Sequence, residues 1–149
     1  MLNRDFSDIL SCLSVEGVEF LVVGAYALAA HGFVRSTGDI DIWIRPDAEN
    51  ARRCARALLR FGAPAGSFTE ADLADPDSVI QLGVEPNRID ILGGIDAVAF
   101  AEAWPGRVMS TYGDLSVPVI AKQDLLRNKL ATGRDKDAGD VAWLRRNIG

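Results

Sequence analysis

The sequence predicts one α+β domain, and three observations carry that expectation. Residues Asp39-Ile40-Asp41-Ile42-Trp43-Ile44-Arg45 alternate strictly, as a half-buried strand does. Phe20 to Val23 is a short run of strand formers, which Gly24 separates from the Ala-rich, helix-favouring stretch Ala25 to Ala30. The chain closes on two segments of helical character, Ala121 to Ala131 and about Asp135 to Arg146, with Gly133 between them. At 149 residues, 48% apolar and 25% charged, the chain can bury a sizeable core and is not the composition of a disordered protein.

The elements follow in order. Leu2, Phe6, Ile9, Leu10 and Leu13 recur at helical spacing, and Val15-Glu16-Gly17 ends that helix. After the strand at 20–23 and its helix, Gly32 is placed to close the helix in the left-handed conformation, beside a His31 suited to a cap role there. Pro46 ends the alternating strand, and Asp47 can cap a helix whose stripe is Ala51, Cys54, Ala55, Leu58 and Leu59 and whose end is Gly62. Phe68 to Asp77 lacks a period and reads as a loop or a single turn. Val79 to Leu82 and Arg88 to Leu92 read as strands, and Asp96 can cap a short helix running to Ala103. Val108 to Thr111 and Leu115 to Ile120 flank the turn Gly113-Asp114, with Pro118 expected to put the second of these strands at a sheet edge.

Charge and composition exclude several classes. Sixteen Lys and Arg against 21 Asp and Glu give a net charge of −5, which argues against a module holding duplex nucleic acid by phosphate neutralisation. The charge is uneven: residues 1–121 hold nine basic and 17 acidic side chains, whereas residues 122–149 hold seven and four. The longest apolar run, Phe20 to Ala30, is too short for a bilayer span, and Asp5 and Asp8 do not suit a signal peptide; a cytoplasmic protein with no membrane partner is expected. Cys12 and Cys54 fit two buried thiols in a reducing compartment better than a disulfide. One histidine excludes H-E-x-x-H zinc sites, and neither a C-x-x-C pair, a P-loop nor a G-x-G-x-x-G turn occurs.

Asp39 and Asp41 carry the chemistry. Residues two apart on a strand leave the same face, so their like charges repel unless one carboxyl titrates upward or a cation sits between them. A hard divalent ion such as Mg²⁺ suits such oxygen donors; a solvated face bearing Asp39, Asp41 and Arg45 is the alternative. Asp90 is a second acidic residue within a strand of Ile and Leu, where an Asp needs a partner, either the first two carboxylates or Arg88 or Arg35. Gly24 opens a helix from a strand end, a turn whose N–H groups can receive a phosphate or which uses Gly for conformational reasons alone. Thirteen residues separate this turn, Gly24-Ala25, from Asp39.

The strings V-G-A-Y-A-L-A-A-H-G-F-V-R-S-T-G-D-I-D-I-W-I, R-I-D-I-L and K-L-A-T-G-R-D-K-D-A-G-D-V-A-W-L resemble the minimal nucleotidyltransferases of the DNA-polymerase-β-like superfamily, and among these the AbiEii-type toxins. The likeness runs from about Gly17 to Leu144. It implies a mixed β-sheet flanked by helices with a C-terminal helix pair. It also implies transfer of a nucleoside monophosphate from an NTP to an acceptor hydroxyl of RNA such as tRNA, protein or a small molecule. Asp39, Asp41 and Asp90 would then be the catalytic carboxylates and ligands of Mg²⁺ or Mn²⁺, with Gly24 and Ala25 at the triphosphate turn and Lys129 at a phosphate. Lys129 read as a residue alone is equally a solvated helix lysine, and Arg134, Lys136, Asp137 and Asp140 go first to structure, with Asp135 able to cap the last helix. Ala25 departs from the family, which usually has Gly or Ser there. A nucleotide- or partner-binding module of weakened activity, such as a toxin–antitoxin component, is therefore the alternative, and a homodimer or an antitoxin is the partner expected. Arg52, Arg56 and Arg60 form a basic helix stripe, either solvated or facing an RNA acceptor.

Overall fold

The computed structural model describes residues 3–148 and contains a six-stranded mixed sheet among α-helices. The chain begins with helix α1, Arg4–Val15, whose first N–H groups are capped by the Asn3 side chain. Strand β1, Phe20–Val23, runs into α2, Gly24–His31, and β2 spans Asp39–Ile44. Helix α3, Ala48–Phe61, starts at the Asp47 cap and ends on Gly62 with φ +96°. The acidic segment resolves into the single turn α4, Glu70–Ala74, held by reciprocal hydrogen bonds between Thr69 and Asp72. Then come β3 (Val79–Leu82), β4 (Arg88–Leu92), α5 (Phe100–Ala103), β5 (Val108–Tyr112), β6 (Leu115–Val119), α6 (Lys122–Thr132) and α7 (Ala138–Asn147).

The strand order is β3-β4-β2-β1-β6-β5. Strand β2 pairs antiparallel with β1 and parallel with β4, so the two strands carrying acidic residues are neighbours. Ile40, Ile42 and Ile44 are sealed in the core together with Phe6, Leu10, Leu21, Leu28 and Leu58, while Asp39 and Asp41 leave the opposite side of β2. Truncating one of those isoleucines to Ala would cost ~2–5 kcal/mol. Both cysteines are free; Cys54 is buried in the core, which pushes its thiol up to about 12, whereas Cys12 is half-buried instead of buried as expected, and its thiol is raised by that burial. Among the described residues, no helix is long and apolar enough to cross a membrane.

Four local expectations are corrected. Strand β6, with Pro118, is internal, between β1 and β5; its pairing with β1 is confined to Val22 and Val119, and the Ile120 N–H donates to Val22, so Pro118 precedes the positions where β1 needs a donor. Asp96 caps nothing: α5 begins four residues later, with the Ala99 N–H donating to Glu102. His31 does not cap α2; its Nε2–H donates to the Ile120 carbonyl at 2.7 Å, tying α2 to the end of β6. Asp135 starts a short 3₁₀ turn instead of capping α7.

Candidate active site

The parallel register of β2 and β4 builds the site. It sets Asp39 opposite Arg88 and Asp41 opposite Asp90, and with the two-residue period all four side chains share one side of the sheet. Oxygens of Asp39, Asp41 and Asp90 lie within 4.8 Å of one another. On the far side of β2, Asp41 pairs with Val23, the last residue of β1, so the turn into α2 comes down on the same carboxylate. Gly24 has φ +67°, and a Cβ there would lie 2.3 Å from Asp41 Oδ2. Glycine is demanded twice at this point, by backbone conformation and by contact. No side chain caps α2, which leaves its first N–H groups facing the cleft without a local acceptor.

The three carboxylates are not equivalent. Asp39 accepts the Thr37 hydroxyl on Oδ1 at 2.9 Å and Arg88 Nη2 on Oδ2 at 2.9 Å. Asp90, buried on β4, accepts Arg88 Nε on Oδ1 and Nη2 on Oδ2 at 3.1 and 3.3 Å. Among the described residues no ion pair reaches Asp41. Burial, with the neighbouring charges of Asp39 and Asp90, pushes its carboxyl up to about 7; nearby Lys129 opposes the rise. Asp90 is also raised, by burial, against the counter-pull of Arg88.

The C-terminal helices close the other wall. Lys129 of α6 is only 6% exposed, so it is no solvated helix lysine. Its Nζ lies 3.1 Å from Asp137 Oδ1 and 3.4 Å from Asp140 Oδ2. Arg134 Nε donates to Asp137 at 2.7 Å, and Arg35 Nη2 stands 2.9 Å from Asp140. Burial opposes ionisation of Asp137, but hydrogen bonds from Arg134, Lys129 and Thr132 hold it below the usual carboxylate range. Stacking of Phe33 on Trp143 at 5.3 Å repeats the link between the loop before β2 and α7.

Two cavities meet over the carboxylates. One, of about 380 Å³, is polar and bordered by the Gly24-Ala25 turn, the three aspartates, Arg88 and Lys129. The other, about 290 Å³, shares Gly24, Asp41, Lys129 and Arg134 and extends to Gly94, Asp96 and Asn128. All six residues singled out from the sequence, Gly24, Ala25, Asp39, Asp41, Asp90 and Lys129, therefore converge on one cleft. The second cavity's wall escaped sequence reasoning; its signal was the pair Gly93-Gly94, where a Cβ would strike the Asp75 and Pro76 carbonyls at 2.1 and 2.4 Å. The arginine stripe is partly neutralised, since Arg56 and Arg60 both reach Glu16.

No protein-family model matches the chain, and no curated protein matches it in sequence. Solved structures do match its fold. A provisionally assigned nucleotidyltransferase of Thermotoga maritima, TM1012, superposes with a TM-score of 0.63 at 19% identity, covering 98% of this chain and 96% of that one. The lincosamide antibiotic adenylyltransferase LnuA, bound to lincomycin, gives 0.58 at 17% identity over 97% of each chain. ANT(2'')-Ia, in complex with adenylyl-2''-tobramycin, gives 0.62 at 14% identity over 97% of this chain and 87% of its own. These likenesses show that the mixed sheet, its flanking helices and the C-terminal helices form a nucleotidyltransferase fold.

Proposed function

We propose that the cleft transfers a nucleoside monophosphate from an NTP to an acceptor hydroxyl. The observation that carries this reading is the convergence of Asp39, Asp41 and Asp90 beneath the Gly24 turn of a nucleotidyltransferase fold. Three carboxylates with Asp41 unpaired fit Mg²⁺ or Mn²⁺, both takers of hard oxygen donors; when bound, such an ion supplies charge neutralisation at the triphosphate and the attacked phosphorus. Asp39 and Asp41 would hold it, with Asp90 as third carboxylate.

The chain's own groups do the positioning. The N–H groups of Gly24 and Ala25 at the uncapped start of α2 receive phosphate oxygens, and the Lys129 ammonium adds a point charge from the opposite wall. Asp90 accepts the proton of the acceptor hydroxyl as its oxygen bonds to the α-phosphorus. The bond from that phosphorus to the β-bridging oxygen breaks, and pyrophosphate leaves. Small hydroxyl-bearing molecules join RNA and protein as acceptors to test, because the names of LnuA and of the ANT(2'')-Ia complex point to antibiotics. Incubation with radiolabelled NTPs, Mg²⁺ or Mn²⁺ and these acceptors tests the reading: label transfer is expected, and transfer that survives Asp39→Asn combined with Asp41→Asn would overturn it.

Ala25 favours a second reading, since it offers the triphosphate turn no hydroxyl. A nucleotide- or partner-binding module of the AbiEii kind, acting in a toxin–antitoxin pair, would show NTP-dependent thermal stabilisation without label transfer.

A further inference from the structure

Among the described residues, Arg88 is the one cation that forms ion pairs with two of the three carboxylates. Its guanidinium donates to Oδ2 of Asp39 and to both oxygens of Asp90, and Thr37 donates to Oδ1 of Asp39, so every oxygen of these two residues already accepts one hydrogen bond from the chain. The cause is the register: R-x-D on β4 and D-x-D on β2 face each other in parallel, which drops the arginine between the carboxylates. The repulsion between two anions a few ångströms apart is thereby offset by one shared positive charge. A second cation held by Asp39 and Asp90 would therefore meet the Arg88 charge at contact distance on oxygens that already accept from it.

We propose that Arg88 is a built-in counter-cation of the acidic cluster, a positioning residue that a divalent ion displaces from Asp39 and Asp90 when it binds. An alternative place for the guanidinium lies next to it. Nη1 is already 3.7 Å from Glu85 Oε1, and Glu85 is 63% exposed at the rim, packed over Gly38 immediately before Asp39. Displacement therefore exchanges a shared, half-buried ion pair for a solvated one across a short swing of one side chain. Arg88 lowers the net negative charge of the metal-free cluster, and the affinity for the ion depends on what Arg88 gives up. This inference rests on reading the three aspartates as a divalent-cation site.

Titration with Mn²⁺, followed by the loss of free-ion electron paramagnetic signal, tests it on the wild type, Arg88→Gln and Arg88→Lys, with circular dichroism to verify folding. Arg88→Gln should bind Mn²⁺ about tenfold more tightly, because a positive charge competing at contact distance is gone. Arg88→Lys, which keeps the charge but loses the fork, should fall between the two. Binding by Arg88→Gln alone would also support the proposal. Wild-type binding that Arg88→Gln leaves unchanged or weakens would overturn it while sparing the cation site, whereas no binding by either protein would overturn both. If Arg88→Gln does not fold, Mg²⁺ titration of the ¹⁵N-labelled wild type decides. The Arg88 Nε–H resonance should shift and exchange faster with water as the ion binds; a resonance that stays fixed through saturation would overturn the displacement.

Discussion

The cleft holds two charged clusters that solve the same problem differently. On the sheet side, three carboxylates face one guanidinium, and among the described residues Asp41 is left without an ion pair. On the helix side, Lys129, Arg134 and Arg35 close around Asp137 and Asp140, so each buried carboxylate has a cation at 3.4 Å or less. The helical cluster sets three cations against two carboxylates and ties α6, α7 and the loop before β2 together, although Asp140 Oδ2 has its cations by proximity and accepts no hydrogen bond. The sheet cluster has more negative charge than its surroundings compensate, and its strain shows in the raised Asp41 carboxyl. Two groups of charge in one cleft thus differ in balance: the helical one links the walls, and the excess negative charge of the other is what the proposed cation site rests on.

Substitutions can break this contrast. The largest effect is expected on catalysis: Asp39→Asn or Asp41→Asn should lower NMP transfer by about 10³-fold or more with the fold retained, as checked by label transfer and circular dichroism. Next comes the helical cluster, where Lys129→Met removes one of the two cations from each of Asp137 and Asp140 and leaves Arg134 and Arg35; urea unfolding should record a loss of ~1.5–3 kcal/mol, more than substitution of a solvated lysine. The sheet cluster should respond in the reverse sense. Folding raises the Asp41 carboxyl, so this group favours the folded state below its ordinary range and that stability is lost as pH rises through about 7. Metal-free Asp41→Asn should therefore be more stable than wild type at pH 8, by about 1–3 kcal/mol after solvent screening, and little different at pH 4; melting curves across that range check it. The smallest effect is reserved for the surface pairs: Glu16→Gln, which frees Arg56 and Arg60, should lower the melting temperature only slightly, and the difference should vanish in high salt.

Legibility in the sequence followed the range of the interactions involved. Asp47 and Gly62 bound α3 through local capping, and both positions are visible in the chain. The Ile40-Ile42-Ile44 alternation declared a strand with Asp39 and Asp41 on its other side, because a period of two is a property of the strand alone. Asp90 marked itself by polarity among apolar neighbours, but its distance from the other carboxylates depends on β4 lying parallel beside β2, a pairing no local pattern specifies. Pro118 misled for the same reason: the missing N–H signals an edge, yet the strand is internal where pairing to β1 begins one residue later. The 290 Å³ cavity was invisible because its wall joins residues 94–96 to Asn128, which only packing brings together.

The sequence by itself determined the elements, the face on which the carboxylates lie and the glycine at the α2 turn, since periodicity, caps and left-handed backbone are settled within a few residues. Tertiary structure decided what those groups became. The β2–β4 register set Arg88 between Asp39 and Asp90, and the docking of α6 buried Lys129 against Asp137 and Asp140, because the partner of a buried charge is chosen by neighbours far away in the chain.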